Sequence, residues 1–400
     1  MISPSKMQNP SCLLYGPGDA RFEDQPLPII EDPYDVIIRI AYVGVSGSDV
    51  DYWFNGGTKK PVSDDDPLIL GHEASGIVHA IGPAVLNLQP GDPVAIEPGA
   101  PCRLCSRCKL GKYNLCPEMM FAASPPFHGT LTKYYKIPAD CCYKIPPSVG
   151  ISFGLDEAVL IEPLAVAVHS VRQLGVQPGD KVVVFGADTI GLLCAAVARE
   201  FGASTIMSVD RNRDKLDFAH SFVPNGRLSF STAIPNQSLS SEENAQCLRG
   251  MHRSSHFTQS DVPGFDVAIE ATGVDYCIQM AIHSLRVGGS FVQTAVGNSR
   301  NVLFPIATVL ENEINVKGCY RYAAGDFKMA LELAFTRKIE LKPLITKVVD
   351  FENVTEAWEI VRRGHGIKTL IRGIGYNDDL EDFASERCGS TPCKYAAQYL

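Results

Sequence analysis

A change of periodicity at Lys181 constrains the fold most. Before it, short β-like runs such as Val36–Val43, Gly76–Ile81 and Pro93–Ile96 are punctuated by glycine and proline, which predicts an antiparallel, barrel-like β domain. After it, strand and helix alternate. Strands are expected at Lys181–Phe185, Thr205–Val209, Val267–Glu270 and Ser290–Thr294, and helices at Ile190–Phe201, Arg213–Ala219 and Tyr276–Leu285. That alternation predicts a parallel, doubly wound sheet and an α/β class.

The chain has 400 residues, too many for one ordinary core. Two domains are expected: a discontinuous β-rich one over 1–165 and 310–400, and the parallel-sheet one over 166–309. The amphipathic helices Asp326–Thr336 and Val354–Arg363 would join the β-rich domain, since the chain is expected to return there after Ile314. Pro224–Pro263 is rich in Ser, Asn and Gln and predicts loose structure with one helix near Glu242–Arg249. The polar tail 377–400 is expected to fray.

A net charge of -9 without a basic stripe argues against nucleic-acid or anionic-membrane partners. The stretch Met1–Ser11 has no apolar core of a secretory signal, and no apolar run reaches the ~20 residues of a bilayer span. Thirteen cysteines, an odd number, fit reduced thiols in the cytoplasm better than a paired disulfide framework. Four of them, Cys102, Cys105, Cys108 and Cys116, have the spacing of a closed, structural zinc site. Cys141 and Cys142 are adjacent and expected to be buried apolar residues.

The turn after the first parallel strand reads Gly186-Ala-Asp188-Thr-Ile190-Gly191. It matches a dinucleotide-binding fingerprint of the Rossmann type except that Asp188 stands at the second glycine. A carboxylate there repels pyrophosphate unless it points away. The next strand ends in Asp210, where an acid accepts ribose hydroxyls and repels a 2′-phosphate. Arg211 beside it partly tolerates that phosphate, so NAD is favoured and NADP stays open.

With the cysteine cluster and this turn, further segments carry a resemblance. They are Gly71-His-Glu-Ala-Ser-Gly76, Gly91-Asp-Pro-Val-Ala-Ile-Glu-Pro98, Glu162-Pro-Leu164, Gly264-Phe-Asp-Val-Ala-Ile-Glu-Ala-Thr-Gly273 and Tyr320-Arg-Tyr322. From about Val36 to Ile371 the chain resembles the zinc-containing medium-chain dehydrogenases, in the sorbitol/xylitol branch. The resemblance implies a GroES-like catalytic domain beside the Rossmann domain, a small-molecule polyol substrate, and a homodimer or homotetramer. It implies His72 and Glu73 as metal ligands and Glu162 near the metal water or substrate. Tyr52, Arg321 and Tyr322 would line the polyol pocket, and Ile190, Asp210 and Lys215 would touch the cofactor.

The chain departs from the family in the catalytic segment Gly44-Val-Ser46-Gly-Ser48-Asp-Val-Asp51-Tyr-Trp53. Ser46 replaces the ligand cysteine, and a neutral hydroxyl is a far weaker zinc donor than a thiolate. Asp51 replaces a histidine on the proton path and is a candidate oxygen ligand. Three readings stay open: a metal retained by oxygen and imidazole donors, a metal-free NAD(P)H reductase of another substrate, or a non-catalytic cofactor-binding relative.

Overall fold

The computed structural model describes residues 8–57, 60–146, 153–223, 229–251, 263–297 and 301–376. The chain divides into two units, one of Met1–Glu162 with Glu340–Leu400 and one of Pro163–Ile339. The expected tail at 377–400 lies outside the described residues.

The first unit is built on strand Asp35–Gly44, whose Val-Ile-Ile and Ile-Ala runs are buried almost throughout. Such a run reads as a central strand whose two faces are both packed over, while its edges are paired. It pairs antiparallel with Glu73–Ile81, Tyr134–Pro138 and Lys368–Arg372. The sheet continues through Pro93–Ile96 and Cys142–Lys144 on one side and Ile345–Asp350 on the other. Helix Val354–Arg362 buries Val354, Ala357 and Trp358. The Trp358 ring sits 5.1 Å from Trp53 on helix Gly47–Asn55. Trp53 Nε1 also donates to Glu359 Oε1 at 3.1 Å. These two contacts hold in place the helix that begins at Ser46.

The second unit carries a six-stranded, all-parallel sheet. Its spatial order is Ser229–Ala233, Thr205–Val209, Lys181–Phe185, Phe265–Glu270, Leu285–Gln293, Asn315–Gly318. Counted along the chain this is 3-2-1-4-5-6, the doubly wound order, whose switch point lies between the first and fourth strands. The order reverses there, the place where sheets of this kind take ligands, outside the carboxyl ends of their strands.

Two expectations about this unit change. Ser229–Ala233 is an edge strand inside the segment expected to be loose, since only Phe230 and Ala233 of it are buried. The helix foreseen near Glu242–Arg249 runs Ser241–Met251. The return to the first unit comes at Glu340, not near 310. Asn315–Gly318 adds the sixth strand, and helix Asp326–Phe335 stays in the second unit. All four residues of that strand are exposed, so no hydrophobic pattern announces it.

Candidate active site and metal centres

In the first unit the strand register places Gly44 opposite Glu73. A β-carbon at Gly44 would fall 2.2 Å from Glu73 Oε2, so only glycine leaves that carboxylate its room. Gly71, at φ +87°, turns the chain just before His72 and Glu73. Glu162 lies in the first turn of helix Ile161–Leu174. One ligand atom each from His72, Glu73 and Glu162 lie within 4.8 Å of one another. Both carboxylates are buried.

Lys368 sits beside them with its side chain only 3% exposed. Its Nζ donates to the Val45 carbonyl at 2.9 Å and forms an ion pair with Glu73 Oε2. Lys368 thus balances one of the two carboxylates. One imidazole and two carboxylates make a donor set that suits a divalent cation, harder than a set containing thiolate.

Ser46 follows directly on Val45, whose carbonyl accepts from Lys368. Its hydroxyl is occupied locally. Ser46 Oγ donates to Asp49 Oδ2 at 2.8 Å, accepts from the Asp49 amide at 3.3 Å, and lies 2.8 Å from Ser48 Oγ. The Ser46 amide donates to Asp49 Oδ2 at 2.8 Å, which closes a capping box on helix Gly47–Asn55. Asp49 is buried and its other oxygen accepts from the Gly71 amide at 3.1 Å. One carboxylate thus locks the start of this helix to the turn carrying His72.

Asp51 does not join the donor group found among the described residues. Its Oδ1 accepts from Asn55 Nδ2 at 2.8 Å, one turn along the same helix, so the expected oxygen ligand is turned toward a neutral amide instead. Ser48 is exposed. Tyr52 is partly buried against the core, where burial, and next the Asp51 charge, push its phenol up.

The four cysteines converge at a second centre in the same unit. Their sulfurs lie within 4.8 Å of one another, with Cys105 Sγ 3.5 Å from Cys108 Sγ and 3.9 Å from Cys116 Sγ. A tetrahedron of about 2.3 Å zinc–sulfur bonds has edges of roughly 3.8 Å, so the spacing fits zinc. The Cys105 and Cys102 amides donate to Cys102 Sγ and Cys116 Sγ at 3.3 and 3.4 Å. Amide donation, that of Cys105 first, holds the Cys102 thiol down at about 7. Tyr113, inside the cysteine loop, and Tyr143 donate to the two oxygens of buried Glu97 at 2.5 and 2.8 Å. This anchors the loop to the sheet. Cys141 and Cys142 are buried, as expected.

The nucleotide turn lies in the second unit. Gly186 has φ +100°. A β-carbon at Gly191 would fall 2.0 Å from the Gly186 carbonyl oxygen, so helix Thr189–Glu200 packs on its strand only with glycine there. Asp210 Oδ2 accepts from the Ala187 amide and Oδ1 from the Asn212 amide, each at 2.8 Å. The aspartate that ends one strand therefore fixes the turn after the strand before it. A carboxylate has about four acceptor sites, which leaves room for ribose hydroxyls. Ile190 is half-buried at the helix start and Arg211 is exposed. Lys215, on helix Arg213–Phe222, forms an ion pair with Asp188 Oδ1. The turn fits a dinucleotide: a tight glycine, a close helix and an acid at the neighbouring strand end.

Arg321 and Tyr322 belong to the second unit. Arg321 adopts φ +57°, an uncommon conformation for a side-chain-bearing residue, with its guanidinium 4.8 Å from the Tyr320 ring centre. Tyr322 is 2% exposed, its ring edge-on to Phe327 at 5.7 Å. Buried Asp326, paired with Arg172 and His169, accepts from the Ala323 amide at 2.8 Å and fixes this segment.

Residues 32–147 match the alcohol dehydrogenase GroES-like domain and residues 189–336 the zinc-binding dehydrogenase family. A probable D-xylulose reductase A of Aspergillus terreus is 47% identical over 369 residues, 92% of this chain and 99% of that relative. The D-xylulose reductase A of Aspergillus niger is 46% identical over 368 residues, 92% and 97% of the two chains. The chain belongs to the zinc-containing medium-chain dehydrogenases, in the polyol dehydrogenase branch. An Escherichia coli oxidoreductase/dehydrogenase of unknown specificity has the same fold, with a TM-score of 0.81, 27% identity, and 92% and 99% of the chains covered.

As a medium-chain dehydrogenase the protein is an NAD(P)-dependent, zinc-type oxidoreductase acting on CH–OH groups of a small molecule. No helix among the described residues is long and apolar enough to cross a membrane. Sequence reasoning missed two residues of this dehydrogenase's centre. Asp49 was readable from Ser46-x-x-Asp49, the capping-box spacing. Lys368 carried no local signal, since it opens the mixed stretch Lys-Thr-Leu-Ile-Arg372 and its partner Glu73 lies far away along the chain.

Proposed function

We propose that this dehydrogenase interconverts a linear polyol and its ketose, of the xylitol/D-xylulose or sorbitol kind, and prefers NAD to NADP. The convergence of His72, Glu73 and Glu162 carries the reading. A divalent ion held by these three would supply Lewis acidity to the substrate oxygen, and bound nicotinamide would supply hydride chemistry. Lys368 pairs with Glu73 and orients that carboxylate. Glu162 offers the second oxygen donor or the acceptor for a substrate hydroxyl. The Ser46 and Ser48 hydroxyls are 2.8 Å apart, and Ser48 is exposed, so together they hold a proton between the centre and solvent. Tyr52, on the first unit, is the residue of that unit proposed to face the polyol. Asp210 disfavours a 2′-phosphate, with Arg211 as its counterweight. The protein acts in the cytoplasm as a homodimer or homotetramer.

One observation favours a second reading, a metal-poor reductase or cofactor-binding relative: the Ser46 hydroxyl is committed to its helix cap. NADH oxidation with D-xylulose, with and without added zinc or manganese, tests the proposal. Metal-dependent turnover of the ketose supports it. NADH binding without turnover under any metal overturns it in favour of the second reading.

A further inference from the structure

Asp188 occupies the point of the turn where a dinucleotide's pyrophosphate meets the amino end of a helix. Its backbone, at φ -86° and ψ -179°, is ordinary extended chain, so the aspartate stores no strain there. As N-cap residue of the 12-residue helix Thr189–Glu200 it makes no side-chain cap bond to that helix. The carboxylate reaches across instead to Lys215, on the next helix. The Lys215 side chain is 11% exposed and that of Asp188 63% exposed. A largely buried cation is thus spent on a solvent-facing anion beside the phosphate turn.

We propose that Asp188 is a built-in competitor for the cofactor's pyrophosphate, so that dinucleotide binding exchanges one anion for another. This rests on the dinucleotide reading of the turn. The positive end of the helix and the Lys215 ammonium attract any anion nearby. Asp188 already answers the ammonium. An arriving pyrophosphate must then displace the carboxylate from Lys215 or bind against its charge. Either route subtracts from affinity, and an ion pair with one exposed partner is weak enough to open. The consequence is a loosely held cofactor that leaves quickly, which matters where cofactor release limits turnover.

The test is a fluorescence titration of NADH on the full-length wild type and on Asp188→Asn and Asp188→Gly. Asparagine is a good N-cap and nearly the same shape, so it preserves the fold if glycine does not. At low ionic strength both variants are expected to bind NADH about five- to tenfold more tightly. The gain should fall below about twofold near 0.5 M salt, where charges several ångström apart are screened. ADP-ribose should show the same gain and adenosine, which lacks the diphosphate, should show none. Unchanged or weaker NADH binding in both variants overturns the proposal, as does a gain shared by adenosine or insensitive to salt. Binding of NADH by all three proteins with equal affinity leaves the dinucleotide reading standing. No binding by any of them removes both.

Discussion

The Lys368 ammonium and the Glu73 carboxylate form an ion pair with side chains 3% and 5% exposed, and Glu73 also belongs to the donor group with His72 and Glu162. Neither charge has water to fall back on. Removing one partner strands the other, which costs about 3–5 kcal/mol for a buried pair. Lys368→Met should therefore unfold at a lower temperature than wild type in the presence of a chelator. A dication bound at His72, Glu73 and Glu162 would replace the lost charge, so the variant's melting temperature should rise steeply with added zinc or manganese. Thermal melts across a metal titration measure this. An equal metal response in wild type and variant would show that Glu73 does not face the metal site.

Ser46 presents a competition between a cap and a ligand. Its hydroxyl closes the box with Asp49, worth about 1 kcal/mol of helix stability. Ser46→Cys should give up part of that and gain a thiolate donor. After dialysis against a mild chelator the wild type is expected to keep one zinc per chain, at Cys102, Cys105, Cys108 and Cys116, and the variant two. Xylitol oxidation with NAD should rise in the variant. Elemental analysis on both proteins decides it, and two zincs retained by the wild type would mean that three donors suffice.

The legibility of this chain follows burial. Lys181–Phe185 and Thr205–Val209 are strands in the sequence and in the structure, because four successive residues of each are buried, all apolar in the first and all but Ser208 in the second. Asn315–Gly318 is equally a strand of that sheet but carries no apolar signal, being held by backbone pairing with Leu285–Gln293 alone. At the site, His72, Glu73 and Glu162 were readable because short motifs surround them. The partner of Asp188 was not, because Lys215 lies 27 positions away and only the folding of two consecutive β–α units brings them together. The same holds for Lys368, which meets Glu73 across strands from opposite ends of the first unit.

Asp210 serves two purposes, and they can be separated. Its carboxylate pins the amides of Ala187 and Asn212, and on the proposed NAD preference its charge opposes a 2′-phosphate. Asp210→Asn keeps acceptor capacity on one oxygen but removes the charge. NADPH binding should strengthen about tenfold relative to NADH, since Arg211 would then act unopposed. Parallel titrations with both cofactors give the ratio. An unchanged ratio would place the 2′-position elsewhere.

The cysteine loop allows a prediction with a defined pH. In metal-free protein the Cys102 thiol is held at about 7, against about 8.5 for an ordinary cysteine. The folded form therefore loses its proton before the unfolded chain does. Between about pH 8.5 and 7 the unfolded state binds more protons, so this contribution to stability is present at the upper end and fades as pH falls through the folded value. Alkylation by iodoacetamide follows the thiolate and should show a midpoint near pH 7 at Cys102 once zinc is stripped. Zinc-loaded protein should resist alkylation throughout, because all four sulfurs are engaged. Mass spectrometry of the Cys102 peptide across pH measures both. Rapid labelling of the loaded protein would mean that the four sulfurs do not enclose a metal.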